Sequence, residues 1–75
     1  MNKLLIIGAS SGIGLETTKL ALKHGLNVKA FSRSANNIEI TDDHLEKVAG
    51  DALSGADVEA ALKDCDAVVM ALGVA

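Results

Sequence analysis

The stretch Gly8-Ala9-Ser10-Ser11-Gly12-Ile13-Gly14 has the residue types and spacing to wrap backbone around an anion. Gly8 lets the chain turn sharply. A side chain at position 12 would keep the backbone away from a pyrophosphate, and glycine at 14 lets a following helix pack closely. The N-terminus of such a helix presents unpaired N–H groups and a positive dipole end. Ser10 and Ser11 add hydroxyl donors. No Gly-Lys-Ser/Thr follows, which excludes the mononucleotide phosphate loop of that type. The competing reading is a glycine-rich turn with no ligand, and the flanking elements decide between the two.

Those elements favour the binding loop. Leu4-Leu5-Ile6-Ile7 is a short apolar run stopped by glycine, as in a strand buried on both faces. From Gly12 to His24 the apolar period becomes helical, with Ile13, Thr17, Leu20 and Ala21 on one stripe and Glu16, Lys19 and Lys23 off it. Gly25 supplies a residue tolerant of positive φ at the helix end, beside Lys23 and His24. Asn27–Phe31 reads as a second strand and Leu45–Ala49 as a third, with the polar segment 32–44 a loop containing at most a short turn or strand. Ser54 followed by Asp57 resembles a capping box for a helix whose apolar face is Val58, Ala61 and Leu62. Asp66 opens a last apolar run, Ala67–Leu72, ended by Gly73. The alternation predicts an α/β fold with a parallel sheet, and a strand–loop–helix setting suited to a dinucleotide.

The end of the second strand bears on which dinucleotide. A site preferring NAD places a carboxylate there for the ribose 2′-OH. The chain has Ser32-Arg33-Ser34 instead, and no acid until Glu39. Arg33 could pair with a 2′-phosphate through its planar fork of donors, with Ser32 or Ser34 assisting. NADP(H) is therefore expected over NAD(H), the alternative being a solvated surface arginine. Asp51, at the end of the third strand, sits on the carboxyl edge where ligands collect in such sheets, or is a simple loop acid.

The pattern is similar to the G-x-x-x-G-x-G fingerprint of the short-chain dehydrogenase/reductase superfamily, although Ile7 stands where a threonine is usual. Gly50-Asp51-Ala52-Leu53, a short helix, then Cys65-Asp66-Ala67-Val68-Val69-Met70-Ala71-Leu72-Gly73 resembles its atypical NAD(P)H-binding branch. That branch includes NmrA-like proteins and biliverdin reductase B or flavin reductase-like enzymes. The resemblance spans essentially all 75 residues. It implies the N-terminal half of a doubly wound (Rossmann) sheet with strand order 3-2-1-4. It also implies that Asp51 meets the adenine amino group, with Ala52 or Leu53 on the ring. Ala71, Leu72 and Gly73 would line the path towards the nicotinamide ribose, unless Gly73 is only a turn residue. The Tyr-x-x-x-Lys of classical members cannot be present, because the chain has no tyrosine, and no catalytic residue is assigned.

Composition narrows the rest. Seven basic and ten acidic side chains leave a net charge of −3 and a pI near 5.1, without the basic patch that nucleic-acid binding needs. The apolar run after Met1-Asn2-Lys3 is too short for a signal peptide or a membrane span. Cys65 is the only cysteine, so a cytoplasmic location is expected. Asp42-Asp43-His44 has no distant partner with which to hold a metal. Cys65 lacks an electropositive neighbour to activate it, and no His–Asp pair accompanies Ser10 or Ser11 for acyl transfer.

Residues 1–75 are expected to form one nucleotide-binding half-domain, truncated from a longer reductase. Ala67–Leu72 would then be an exposed apolar edge of the kind that proteins cover, by further chain or by a second copy in a two-fold homodimer. Two functions fit: the NADP(H)-binding portion of an atypical short-chain-type oxidoreductase, or a non-catalytic NAD(P)-binding or sensing module of NmrA-like type.

Overall fold

The computed structural model describes residues 3–10 and 12–71. Strand β1 (Lys3–Ile7) leads through the glycine loop into helix α1 (Gly12–Lys23), and β2 (Asn27–Ser32) follows. A single 3-10 turn at Ala35–Asn37 precedes β3 (Leu45–Ala49), helix α2 (Gly55–Leu62) and β4 (Ala67–Met70). The strands form one parallel four-stranded sheet in the order β3-β2-β1-β4. The α/β class and the strand order thus match the expectation from the sequence.

Alternation along the two central strands divides the core. Leu4, Ile6, Val28 and Ala30 pack on the α1 side, against Ala9, Ala21, Ala35 and Ile38. Leu5, Ile7 and Phe31 pack on the α2 side, against Ala61. Each large side chain removed from water here contributes about 2 kcal/mol. Ala35 and Ile38 lie in the segment that the sequence marks only as polar. They are buried because the 3-10 turn folds back over the edge of the α1 layer.

Helix α1 is rotated relative to the predicted stripe. Gly14, Thr18 and Ala21 are buried, whereas Ile13 and Leu20 are 78% and 56% exposed. The reason is close packing at the helix start, where Gly14 must face the carbonyl of Gly8 and so fixes which side meets the sheet. Thr18 tolerates complete burial because its hydroxyl donates to Gly14 O at 2.8 Å. The helix ends at Gly25, with φ +78°, where Gly25 N–H donates to Leu22 O and Leu26 N–H to Ala21 O. This is the Schellman arrangement.

The cap of α2 is only half of the box suggested by its sequence. Ser54 Oγ accepts the Asp57 N–H at 3.3 Å, but the Asp57 carboxylate does not return to Ser54. The Ser54 N–H is already taken by Asp51 O, and Asp57 Oδ2 accepts the Asp51 N–H instead, at 2.9 Å. At the other end of α2, the buried Lys29 of β2 donates to Ala61 O and to the Asp64 carboxylate. Its charge is thereby matched in the position where cations suit a helix C-terminus.

Among the described residues strand β4 pairs only with β1, and Val68 and Met70 are 43% and 64% exposed. It is the apolar edge anticipated from the sequence. The other edge, β3, carries Glu46 and Lys47 and is blunted by charge. Among the described residues no helix is long and apolar enough to cross a membrane.

Candidate functional site

All four strands point their carboxyl ends at one edge, and the loops leaving β1, β2 and β3 are tied together there. Gly8 N–H donates to Phe31 O at 2.9 Å, and Gly50 N–H donates to Ser32 O at 3.1 Å. The end of β2 is therefore the post to which the other two loops attach. Phe31 at the end of β2 is 1% exposed, and its ring forms the floor.

Between these loops lies a cleft of about 300 Å³, walled by Gly8, Ser32 and Arg33 on one side and Asp51, Ala52 and Leu53 on the other. The Arg33 guanidinium stands 3.7 Å from Asp51 Oδ1 across it. Asp51 Oδ1 also accepts the Leu53 N–H at 2.9 Å, which shapes the wall as a tight turn. Ser32 Oγ is buried and has no hydrogen-bond partner among the described residues. A ligand hydroxyl or phosphate in the cleft could satisfy it.

Two glycines of the loop have the backbone conformation that an anion cradle uses. Gly8 and Gly12 have φ of +85° and +56°, the left-handed region that favours glycine. A Cβ on Gly12 would meet nothing within 4 Å, so the space in front of its backbone is open. Gly12 is also the first residue of α1, and the free N–H groups and dipole of a helix N-terminus favour a negative charge. These residues could hold a dinucleotide, with Gly12 and the start of α1 available to its pyrophosphate and the cleft to its adenosine. Bound there, the cofactor would supply hydride chemistry, and the chain would supply orientation and charge.

Among the residues expected to bind cofactor, Gly8, Ser32, Arg33, Asp51 and Ala52 meet in the cleft. Gly12, Ile13 and Gly14 form the first turn of α1. Ser10 is directed elsewhere, for its hydroxyl accepts from Ser34 Oγ at 3.0 Å and it lines a separate depression with Leu15, Asn37 and Ile38. Ala71 N–H donates to Ile7 O at 2.8 Å and carries the end of β4 to the same edge. Ser11, Leu72 and Gly73 lie outside the described residues.

Three residues that shape the cleft escaped the sequence reading. Phe31 and Gly50 act together, since a Cβ at Gly50 would sit 2.6 Å from the Phe31 ring. Asp57 carries the Asp51 backbone. The Gly-Asp pair after β3 is the sequence signal for Gly50, whereas Asp57 carries only the signature of a helix cap. Asp42 and His44 form a local turn, Asp42 accepting the His44 N–H, and His44 Nδ1 lies 2.9 Å from Asn27 Oδ1.

At the opposite end of the sheet, Asp64 bridges Lys29 and Lys3, and these two hydrogen bonds hold its carboxyl well below the usual carboxylate range. The same cluster raises the Lys3 ammonium above its ordinary value, chiefly through its hydrogen bond to Asp64. Burial pushes the Cys65 thiol up, away from the thiolate that reactivity needs.

A parallel 3-2-1-4 sheet with a glycine turn and a helix N-terminus at its carboxyl edge defines a Rossmann-type nucleotide-binding unit. Solved structures agree. A Rossmann-fold NAD(P)-binding family protein from Shigella flexneri superposes with a TM-score of 0.82 at 26% identity, over 99% of this chain and 39% of that one. A protein from Bacteroides thetaiotaomicron assigned as an epimerase gives 0.89 at 33% identity, over 96% and 33%. The family model described as NAD(P)H-binding matches residues 8–75, and the chain belongs to that family. Among curated relatives, ipsdienol dehydrogenase of Ips pini is 41% identical over 59 residues, and an uncharacterized oxidoreductase of Schizosaccharomyces pombe is 39% identical over 61. These matches cover 79% and 81% of this chain but only 23% and 21% of those proteins.

Proposed function

We propose that the chain is the NADP(H)-preferring, dinucleotide-binding half-domain of an oxidoreductase of the atypical short-chain type. The observation that carries the NADP(H) preference is Arg33, exposed at the end of β2 on the wall of the cleft, with no acid at positions 32–34. A guanidinium there pairs with a 2′-phosphate, whereas the carboxylate of an NAD site would repel it. The buried, unpartnered Ser32 Oγ beside it supports the same reading.

The roles follow from position. Gly12 gives the pyrophosphate close backbone approach, Gly8 and Gly14 let α1 begin pressed onto the turn beside it, and Ser11 and Ile13 flank it, while Ser10 turns to Ser34. Asp51 and Ala52 take the adenine, and Ala71, Leu72 and Gly73 lead towards the nicotinamide ribose. Substrate contacts and any acid–base group come from beyond these residues in the whole protein. The exposed edge of β4 is covered there, by further chain or by a second copy in a homodimer, which light scattering distinguishes. A cytoplasmic location keeps Cys65 a free thiol.

Calorimetric titration of the chain with NADP⁺ and with NAD⁺ is the test. Tighter NADP⁺ binding that is lost in Arg33→Ala is the expected result. No saturation with either nucleotide would overturn the reading. Turnover of NADPH by the whole protein with a quinone or flavin acceptor separates a reductase from a binding or sensing module.

A further inference from the structure

Arg33 and Asp51 face each other across the cleft with unequal freedom. The Asp51 carboxylate is fixed: its Oδ1 accepts the Leu53 N–H at 2.9 Å, and its own N–H is held by Asp57 at 2.9 Å. Its carbonyl is held as well, accepting the Ser54 N–H at 2.9 Å. The Arg33 side chain is 76% exposed, and at 3.7 Å its nitrogen is beyond hydrogen-bond range of Asp51. A stationary negative charge thus attracts a movable positive one without a directional bond.

We propose that Asp51 is a specificity-determining residue, setting how strongly a 2′-phosphate is preferred by competing with it for Arg33. The inference rests on the NADP(H) reading of Arg33 and adds a second, opposing charge to it. A 2′-phosphate dianion that pairs with the guanidinium must displace the carboxylate as its nearest counter-ion. It must also come to rest close to that carboxylate, in a partly exposed cleft where repulsion is screened but not abolished. An unphosphorylated ribose makes neither demand. The charge on Asp51 therefore lowers affinity for 2′-phosphorylated ligands selectively, whatever the carboxylate contributes to binding adenine. The preference remains towards NADP(H), but is narrower than Arg33 alone would make it.

The experiment compares 2′,5′-ADP with AMP, which share adenine and the 5′-phosphate. The ratio of their affinities cancels any adenine contact made by Asp51. Asp51→Asn retains an acceptor for the Leu53 N–H and removes the charge. The expected result is a rise of about threefold in the preference for 2′,5′-ADP at low salt, the size of an exposed ion pair, shrinking as salt is added. Asp51→Ser, which also retains an acceptor without charge, should give the same rise and guards against a folding defect peculiar to one variant. An unchanged ratio in both variants would overturn the proposal. A lowered ratio would overturn it too, since Asp51 would then be presenting Arg33 to the phosphate rather than competing for it. Arg33→Ala separates the two levels. If it leaves the wild-type ratio unaltered, the NADP(H) reading itself fails. If it collapses the ratio while the Asp51 variants do nothing, only the present inference fails.

Discussion

A Cβ placed on Gly14 would lie 1.9 Å from the carbonyl oxygen of Gly8 and 2.7 Å from its carbonyl carbon. Helix α1 therefore begins pressed onto the turn that leaves β1, and the first and last glycines of the loop are in direct backbone contact. Gly12, between them, is in open space with φ +56°. Glycine at 14 serves packing, whereas glycine at 12 serves conformation and access.

Gly14→Ala and Gly12→Ala should separate these roles. The first meets backbone that cannot swing aside, and should cost about 3 kcal/mol or more of stability. The second should cost only about 1–2 kcal/mol, for a left-handed residue with a Cβ, while obstructing the anion cradle. Chemical denaturation alongside nucleotide titration should find Gly14→Ala failing mainly in stability and Gly12→Ala mainly in binding.

At Gly50 the approach is to a side chain. A Cβ there would come within 2.6 Å of the Phe31 ring, which is 1% exposed and packs with Leu5, Ile7 and Ala61. Gly50→Ala should destabilise by about 1–3 kcal/mol through overpacking. Paired with Phe31→Leu, which vacates the contact, the penalty of the alanine should shrink, and a double-mutant cycle of denaturation midpoints would measure the coupling.

Asp57 has two attachments, its N–H to Ser54 Oγ and its carboxylate to the Asp51 N–H. Asp57→Ala removes the second and an acidic group from the first turn of α2. A loss of about 1 kcal/mol is expected, with a larger proportional loss of AMP affinity because the Asp51 turn is released. Asp57→Asn, which keeps an acceptor, should recover most of the AMP affinity in the same titration.

Acid should weaken the fold through Asp64. Its carboxyl is held below its ordinary value of 3.8 by hydrogen bonds from Lys29 and Lys3. A depressed folded-state value means that the stabilisation is present above the unfolded value and fades as pH falls below it. Melting temperature should drop as pH is lowered through and below about 4. The drop should be smaller in Asp64→Asn, which starts from a lower stability at pH 7 because Lys29 and Lys3 lose the opposing charge while an acceptor remains.

The legible parts of this protein are those fixed by neighbours in the chain. Residues Leu45–Ala49 form the predicted third strand, and Gly25 ends α1 by the local geometry that its position implied. Less legible were residues whose partners are remote. Nothing beside Lys29 in the chain marks it for burial. It is a buried cation because Ala61 and Asp64, more than 30 residues away, meet it across the α2 layer.

By itself the sequence determined the order of elements and the parallel α/β class, through short-range physics: glycine φ, apolar period and the caps of single helices. Its strand order was implied by the resemblance alone. Only the tertiary structure decided which face of α1 is buried, that Ser10 turns towards Ser34, that Asp57 carries Asp51, and that Asp51 faces Arg33 across the cleft. Those relationships depend on strand register and on the rotation of a helix about its axis. Close packing between distant segments sets both, and a one-dimensional pattern leaves them open.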